Sequence, residues 1–347
     1  MTHRSLKILF LAMLGPLFAA GPAASQSVEE FYKGKTVRLI VGYSAGGGHD
    51  LNARMLARHI GKYIPGKPNV VVENMPGASS LKSVQYLDSG AATDGTVITA
   101  FSSGLVTESL TRPDHIPVKL TDFSWLGSLS QEVRVCYLRA DLGIKNFKEA
   151  IKGKEIVFGQ TGPGSASYID ANILKDIFGL NLKVIHGYPG GSEKKIAVER
   201  KELDGDCTSF STVPIDWVKQ GKVVILSRGS TVLLPGMPPE APYIMDLTDD
   251  PKQKALIKFL LSPAYVGRPY IMSKAVPAAR LAAVRKAFDA ALKDPELLAD
   301  AEKQQLPVVG SLTGNEAAAY IAEMYKNTPE VIAAARKIST VGGSEMG

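Results

Sequence analysis

With 347 residues, 45% of them hydrophobic and 21% charged, the chain has the make-up of a globular protein long enough for two domains, which excludes a disordered or fibrous class. The net charge of +6 is mild and no compact Lys/Arg cluster is interleaved with aromatic residues, so a nucleic-acid footprint is excluded and only a weak preference for anionic solutes remains. The five histidines are scattered, without an i,i+4 pair or a Cys/His set, so no metal or organic cofactor is expected.

Arg4 and Lys7 precede the apolar run ILFLAMLGPLFAA, which exits through the small residues GPAASQS. A basic start, an apolar centre and a small-residue exit describe a secretory leader, residues 1–25, cleaved after Ser25. The run is shorter than the ~20 residues a spanning helix needs, and no cysteine stands at the cleavage point to carry a lipid. The mature chain is therefore expected to be exported. In an oxidising compartment Cys136 and Cys207 can pair or remain two buried thiols, and the sequence leaves both outcomes open.

Residues 36–64 then read as strand, loop and helix: TVRLIVGY, SAGGGHD, LNARMLARHIGKYI, with Ala53, Leu56, Ala57, Ile60 and Ile64 on one helical face. Gly46, Gly47 and Gly48 leave the first helical N–H groups open to a solute. A second strand at 69–74 turns through Pro76-Gly77-Ala78 into a helix starting near Ser79, and a third at 95–101 ends at Ser102 and Ser103. This βαβαβ rhythm implies a parallel sheet whose ligands collect at the carboxyl ends of the strands, here at residues 44–48, 76–80 and 102–103. After a strand at 133–138 and a short helix at 147–151, residues 155–179 repeat the opening unit with a loop of Thr161, Gly162, Pro163, Gly164 and Ser165. Strands at 182–186, 206–210 and 222–226 alternate with the turn at 187–191 and a helix at 192–203. A Pro-rich passage at 234–242 reads as a crossover. The remainder is helical at 254–261, 278–292, 295–304 and 315–338, broken at Pro329, with 267–274 as a strand returning to the first sheet.

The expected fold is α/β with two lobes, each a mainly parallel sheet flanked by helices. Residues 26–128 and 232–347 form the first lobe and 129–231 the second, hinged near 127–132 and 226–234. Two glycine loops capped by helix starts would face each other across the cleft and offer N–H donors to an anion.

Other readings compete for the first loop. Gly42-Tyr43-Ser44-Ala45-Gly46 matches the G-x-S-x-G nucleophile elbow letter for letter, with His186 the available base, so a secreted α/β serine hydrolase acting through Ser44 is the alternative function. Against it, the strand begins close behind Ser25, without the earlier strands and oxyanion loop of such a fold. A P-loop would need Lys-Ser/Thr where His49-Asp50 stands, and G-x-G-x-x-G does not fit three consecutive glycines. As plain structure, the glycines make a tight turn, Asp50 caps the helix by accepting from N–H groups two or three residues on, and His49 is a polar residue at the loop edge.

The blocks KTVRLIV with Gly46, Gly47, Gly48 and Asp50, and VVVENMPGA at 70–78, resemble the tripartite tricarboxylate transporter solute receptors, the Bug family of periplasmic binding proteins. The similarity resumes at Asp94-Gly95, at 159–165 and at Tyr188 to Gly190. It implies a type II periplasmic binding fold in which two lobes close, as a monomer, on a small carboxylate and deliver it to the permease subunits of a tripartite transporter, without enzymatic turnover. Carried over residue by residue, the carboxylate falls to Ser44, Gly46, Gly47, Gly48 and Asp50 of the first loop and to Thr161, Gly162, Gly164 and Ser165 of the second. Tyr43, Ser80, Ser102, Ser167, Tyr188, Gly190 and Ser209 complete the expected cleft. The sequence departs from the family pattern at 43–45, at Ser79-Ser80 and at 205–209.

Overall fold

The computed structural model describes residues 26–163 and 165–339, so the expected leader and the candidate Gly164 lie outside the described residues. The chain runs through α1 (Val28–Tyr32), β1 (Thr36–Val41), α2 (Gly48–Ile60), β2 (Asn69–Asn74), α3 (Leu81–Ser89), β3 (Val97–Ala100), α4 (Gly104–Thr111) and β4 (Ser124–Ser128). It continues with β5 (Arg134–Arg139), α5 (Phe147–Ile151), β6 (Ile156–Gly159), α6 (Ala166–Asn172), β7 (Leu182–Ile185), α7 (Gly191–Glu199), β8 (Gly205–Ser209), α8 (Ile215–Lys219) and β9 (Val223–Arg228). The last third holds α9 (Pro251–Leu261), β10 (Pro269–Met272), α10 (Ala278–Ala291), α11 (Pro295–Lys303), β11 (Leu312–Thr313), α12 (Gly314–Met324) and α13 (Pro329–Ser339).

The strands form two sheets, in the orders β11-β4-β10-β3-β1-β2 and β7-β6-β8-β5-β9. In the first, β1 lies parallel to both β2 and β3. Val37, Leu39, Ile40 and Val41 are fully buried there, as a strand covered on both faces requires. Segment 267–274 does return to this sheet, as β10, which enters antiparallel between β3 and β4. One face packs on α2, α10 and α11 through Ala53, Phe288 and Leu297; the other packs on α3, α4 and α12 through Val84, Leu105 and Ile321.

In the second sheet β6 is parallel to β7 and β8, while β5 is antiparallel to β8 and β9. Cys136 and Cys207 are register partners on β5 and β8 and are joined as a disulfide, so of the two open outcomes it is pairing that the fold adopts.

The C-terminal segment does not all pack on the first lobe. α9 and α13 bury Ile257, Phe259, Leu260, Ala335 and Ile338 in the core of the second sheet, where α13 packs on α9 and α6 while also touching α4. The return crossing expected at 226–234 therefore lies at 262–268, beside residues 129–132. The two crossings are stitched together: Leu129 N–H donates to the Arg268 carbonyl at 3.0 Å, Arg268 N–H to the Ser130 carbonyl at 3.0 Å, and Glu132 N–H to the Ala264 carbonyl at 2.9 Å. Among the described residues no helix is long and apolar enough to cross a membrane.

Candidate functional site

A cavity of about 260 Å³ opens between the lobes, directly over the paired crossings. Its floor is charged. Arg268 Nη1 lies 2.8 Å from Glu132 Oε1, Arg134 Nη1 lies 2.9 Å from Glu132 Oε2, and Arg134 Nε bonds Asp170. All four residues are buried, and the two arginines balance the two carboxylates. Burial acts to raise the Glu132 carboxyl, but Arg268 and Arg134 outweigh it and hold the group down at about 2. Asp170, buried against one arginine, is pushed up by desolvation.

The first loop supplies one wall. Gly46 has φ +78°, a conformation few other residues adopt, and Gly47 is the extended N-cap of α2. A Cβ on Gly48 would stand 2.6 Å from Thr212 Cγ2 and 3.0 Å from Arg268 Nη2, so a side chain there would collide with the far wall and the floor. Asp50 does not cap the helix in the expected way. It sits inside the first turn of α2 and reaches backward, accepting from Gly46 N–H at 2.8 Å, Arg54 Nε at 2.9 Å and Asn74 Nδ2 at 2.8 Å. The carboxylate is thus turned away from the cavity and takes the Gly46 N–H for itself, which leaves the N–H groups of Gly47 and Gly48 for a solute. His49 stacks on Tyr43 with ring centroids 4.8 Å apart and lines the cavity. Burial, reinforced by Arg268, lowers its pKa to about 3, so it faces the cavity as a neutral imidazole.

Loop 161–165 and α7 supply the opposite wall. Gly162 takes φ +137°, and Ser165 caps α6, donating to the Gly162 carbonyl at 2.9 Å and accepting from Tyr168 N–H at 3.2 Å. Ser167 lies beside it, 3.3 Å between the hydroxyls. From α7, Gly191, Ser192 and Lys195 reach the cavity, while the buried Lys194 is held by Asp206 at 2.6 Å. The lobes touch at the cleft mouth through three hydrogen bonds: Ser44 Oγ to Glu193 Oε2 at 2.8 Å, Ser192 Oγ to the Ala45 carbonyl at 2.9 Å, and Ser79 Oγ to the Gly162 carbonyl at 3.0 Å.

Of the residues expected from sequence, Tyr43, Gly46, Gly47, Gly48, Ser102, Thr161, Ser165, Ser167 and Ser209 are brought together around the cavity. Asp50, Ser80, Gly162, Tyr188 and Gly190 stand behind or beside it. Ser80 accepts from Ser102 N–H at 2.9 Å and so fixes its neighbour. Gly190 is where a Cβ would come within 2.1 Å of Ser44 Oγ, and Tyr188 covers Gly159. The hydroxyl of Ser44 is directed at the Glu193 carboxylate, and His186, the imidazole that a hydrolase would have needed beside it, is in ring contact with Tyr168. Sequence reading passed over Glu132, Arg134, Arg268 and His49, as well as Ser192 and Thr212. The arginines did leave a signal: each is a lone cation in an otherwise apolar strand segment, VRVCYL and GRPYIM, and such a cation needs a buried partner.

One donor on this surface stands out chemically. Arg134 Nη2 is buried and finds no hydrogen-bond partner among the described residues, and Thr161 Oγ1, also buried, stands beside the Tyr43 hydroxyl; both residues line the cavity. A buried donor without a partner is costly, and an oxygen-rich anion between the walls would satisfy it.

A family model described as "Tripartite tricarboxylate transporter family receptor" matches residues 52–315. Among relatives, a UPF0065 protein of Bordetella pertussis is 28% identical over 188 residues, 52% of this chain and 57% of its own length. A UPF0065 protein of Cupriavidus necator is 30% identical over 217 residues, 60% of this chain and 63% of its own length. The matched region thus spans under two thirds of either relative. Among solved structures, periplasmic binding protein BugD superposes with a TM-score of 0.70 at 22% identity, over 88% of this chain and 98% of that one. MatC from Rhodopseudomonas palustris with bound malate gives 0.67 at 16% identity, over 88% and 99% of the two chains. A second R. palustris protein, with adipate, gives 0.67 at 14% identity, over 87% and 97%. At these identities the likeness to the three structures is one of fold, a two-lobed periplasmic binding protein.

Proposed function

The chain belongs to the tripartite tricarboxylate transporter receptor family, and from that premise we propose that it captures a small carboxylate between its lobes and delivers it to the permease of a tripartite transporter. The observation that carries this reading is the buried, unpartnered Arg134 Nη2 at a cavity that Thr161, Gly47 and Gly48 also line. The carboxylate enters there as hydrogen-bond acceptor, with Ser102, Ser165, Ser167, Ser209 and Tyr43 as further polar contacts. Ser44, Gly46, Asp50, Ser80, Gly162, Tyr188 and Gly190 shape the two walls. The floor, with its charges already balanced, neither repels the anion nor traps it, and charge-assisted hydrogen bonds in a partly dry cleft supply the affinity. That two structural neighbours hold malate and adipate agrees with the chemistry.

The protein works as a receptor, without turnover, in the periplasm after residues 1–25 are removed. A thermal-shift screen of mono-, di- and tricarboxylates, sugars and metal ions tests the reading. A bound carboxylate at about 100 times its Kd stabilises the fold by about 2.7 kcal/mol and raises the Tm accordingly. A sugar or cation that shifts the Tm while every carboxylate fails overturns it.

A further inference from the structure

A second cavity, of about 450 Å³, adjoins the first and shares Ser211, Val213 and Gln305 with it. It too lies between the lobes. On one side stands α11 with Leu298 and Ala301, and on the other residues 210–215 and 234–235 of the second lobe, with Phe210, Ile215 and Leu234. Its lining contrasts with that of the carboxylate cavity: aliphatic and aromatic side chains dominate, no cation is present, and the one charged residue is the carboxylate Glu302. One of these apolar residues, Leu298, is 43% exposed.

Resting on the carboxylate reading above, we infer that the ligand is a monocarboxylate with an apolar alkyl or aryl extension, its acid end between the glycine loops and its tail passing Val213 into this second cavity. Four observations converge on that occupant. The cavity adjoins the anion site, with Ser211, Val213 and Gln305 lining both, which puts a tail of a few carbons within reach of it. Its walls belong to different lobes, so a tail lodged there bridges them. Glu302 on its wall opposes a second carboxylate, which would arrive without a counter-charge. Leu298, a large apolar lining residue left half exposed, gains burial from such a tail.

Titration calorimetry on the mature protein with unbranched monoacids from acetate to octanoate, and with diacids of equal length, tests this. Affinity is expected to rise about fourfold for each methylene that enters the cavity, with each diacid binding more weakly than its monoacid. Leu298→Glu, at a half-exposed position that the fold tolerates, is expected to weaken octanoate at least about tenfold while leaving the shortest acid that binds unchanged; Ile215→Glu on the opposite wall gives the same loss. Glu302→Lys is expected to invert the preference toward diacids. If acids bind with an affinity independent of length, or diacids bind the unaltered protein more tightly, or the two apolar variants change nothing, the tail site is overturned and the carboxylate reading stands. If no acid of any length binds, the carboxylate reading itself fails, and this inference with it.

Discussion

His49 and Arg134 show how single side chains set the electrostatics of the cleft. Arg134 holds two buried carboxylates, Glu132 and Asp170, and its Nη2 is still left without a partner among the described residues. A guanidinium suits this because its donors are fixed in a planar fork that serves several acceptors at once. Burial of His49, with Arg268 nearby adding to it, disfavours protonation until the pH nears 3. Its effect on stability has a definite sign. An unfolded histidine takes up its proton below about 6.5, whereas the folded one does not, so the unfolded state binds more protons and stability falls as the pH drops through that window. Urea melts at pH 7 and pH 5 should show the native protein losing up to about 1.4 kcal/mol per pH unit from this group, and His49→Gln should lack that component. A difference between the two proteins that stays constant with pH would contradict the assignment.

At the scale of elements, the strand-to-helix unit made by β1 and α2 was legible in the residue pattern. An unbroken apolar strand, three glycines and a helical repeat each follow from local backbone geometry and burial. What the pattern did not convey is that Asp50 turns back on Gly46, because its partners Arg54 and Asn74 come from the next helical turn and from the neighbouring strand. Gly47 provides the test of the loop. Its backbone is extended, with φ −81° and ψ 168°, which a valine accepts, and a Cβ there would point at Gly191 N of the opposite lobe, 3.4 Å away. Gly47→Val should therefore keep the fold, with a Tm within a few degrees of the parent, and weaken carboxylate binding at least about tenfold, a loss of about 1.4 kcal/mol. Calorimetry that returns the parent affinity would move the anion site off this loop.

The molecule as a whole is two α/β bodies joined at 129–132 and 262–268, with the charged floor built on the joining strands themselves. The two bodies meet across the cleft through Ser44 and Glu193, Ser192 and Ala45, and Ser79 and Gly162. Within the second body, the Cys136–Cys207 bond ties β5 to β8 across a sequence separation of 71 residues. Loop closure of that length restricts the unfolded chain, and replacing both cysteines with serine should cost about 2–5 kcal/mol. Denaturant unfolding followed under oxidising conditions checks this; equal midpoints for parent and variant would show that the bond is energetically idle.

The sequence by itself determined the order of strand, loop and helix in both lobes, the glycine loops, the return of residues 267–274 to the first sheet and the likeness to a receptor family. All of these rest on neighbours in the chain or on short motifs. Only the tertiary structure decided where the lobes divide, that α9 and α13 belong to the second core, that the cysteines pair, and that Arg134, Arg268, Glu132 and His49 form the floor and wall of the cleft. The physical reason is that burial pays no regard to distance along the chain. Arg134 meets Asp170 from 36 residues away and Ser44 meets Glu193 from 149, and an ion pair or a cavity wall of that kind leaves no period or spacing from which it could be read.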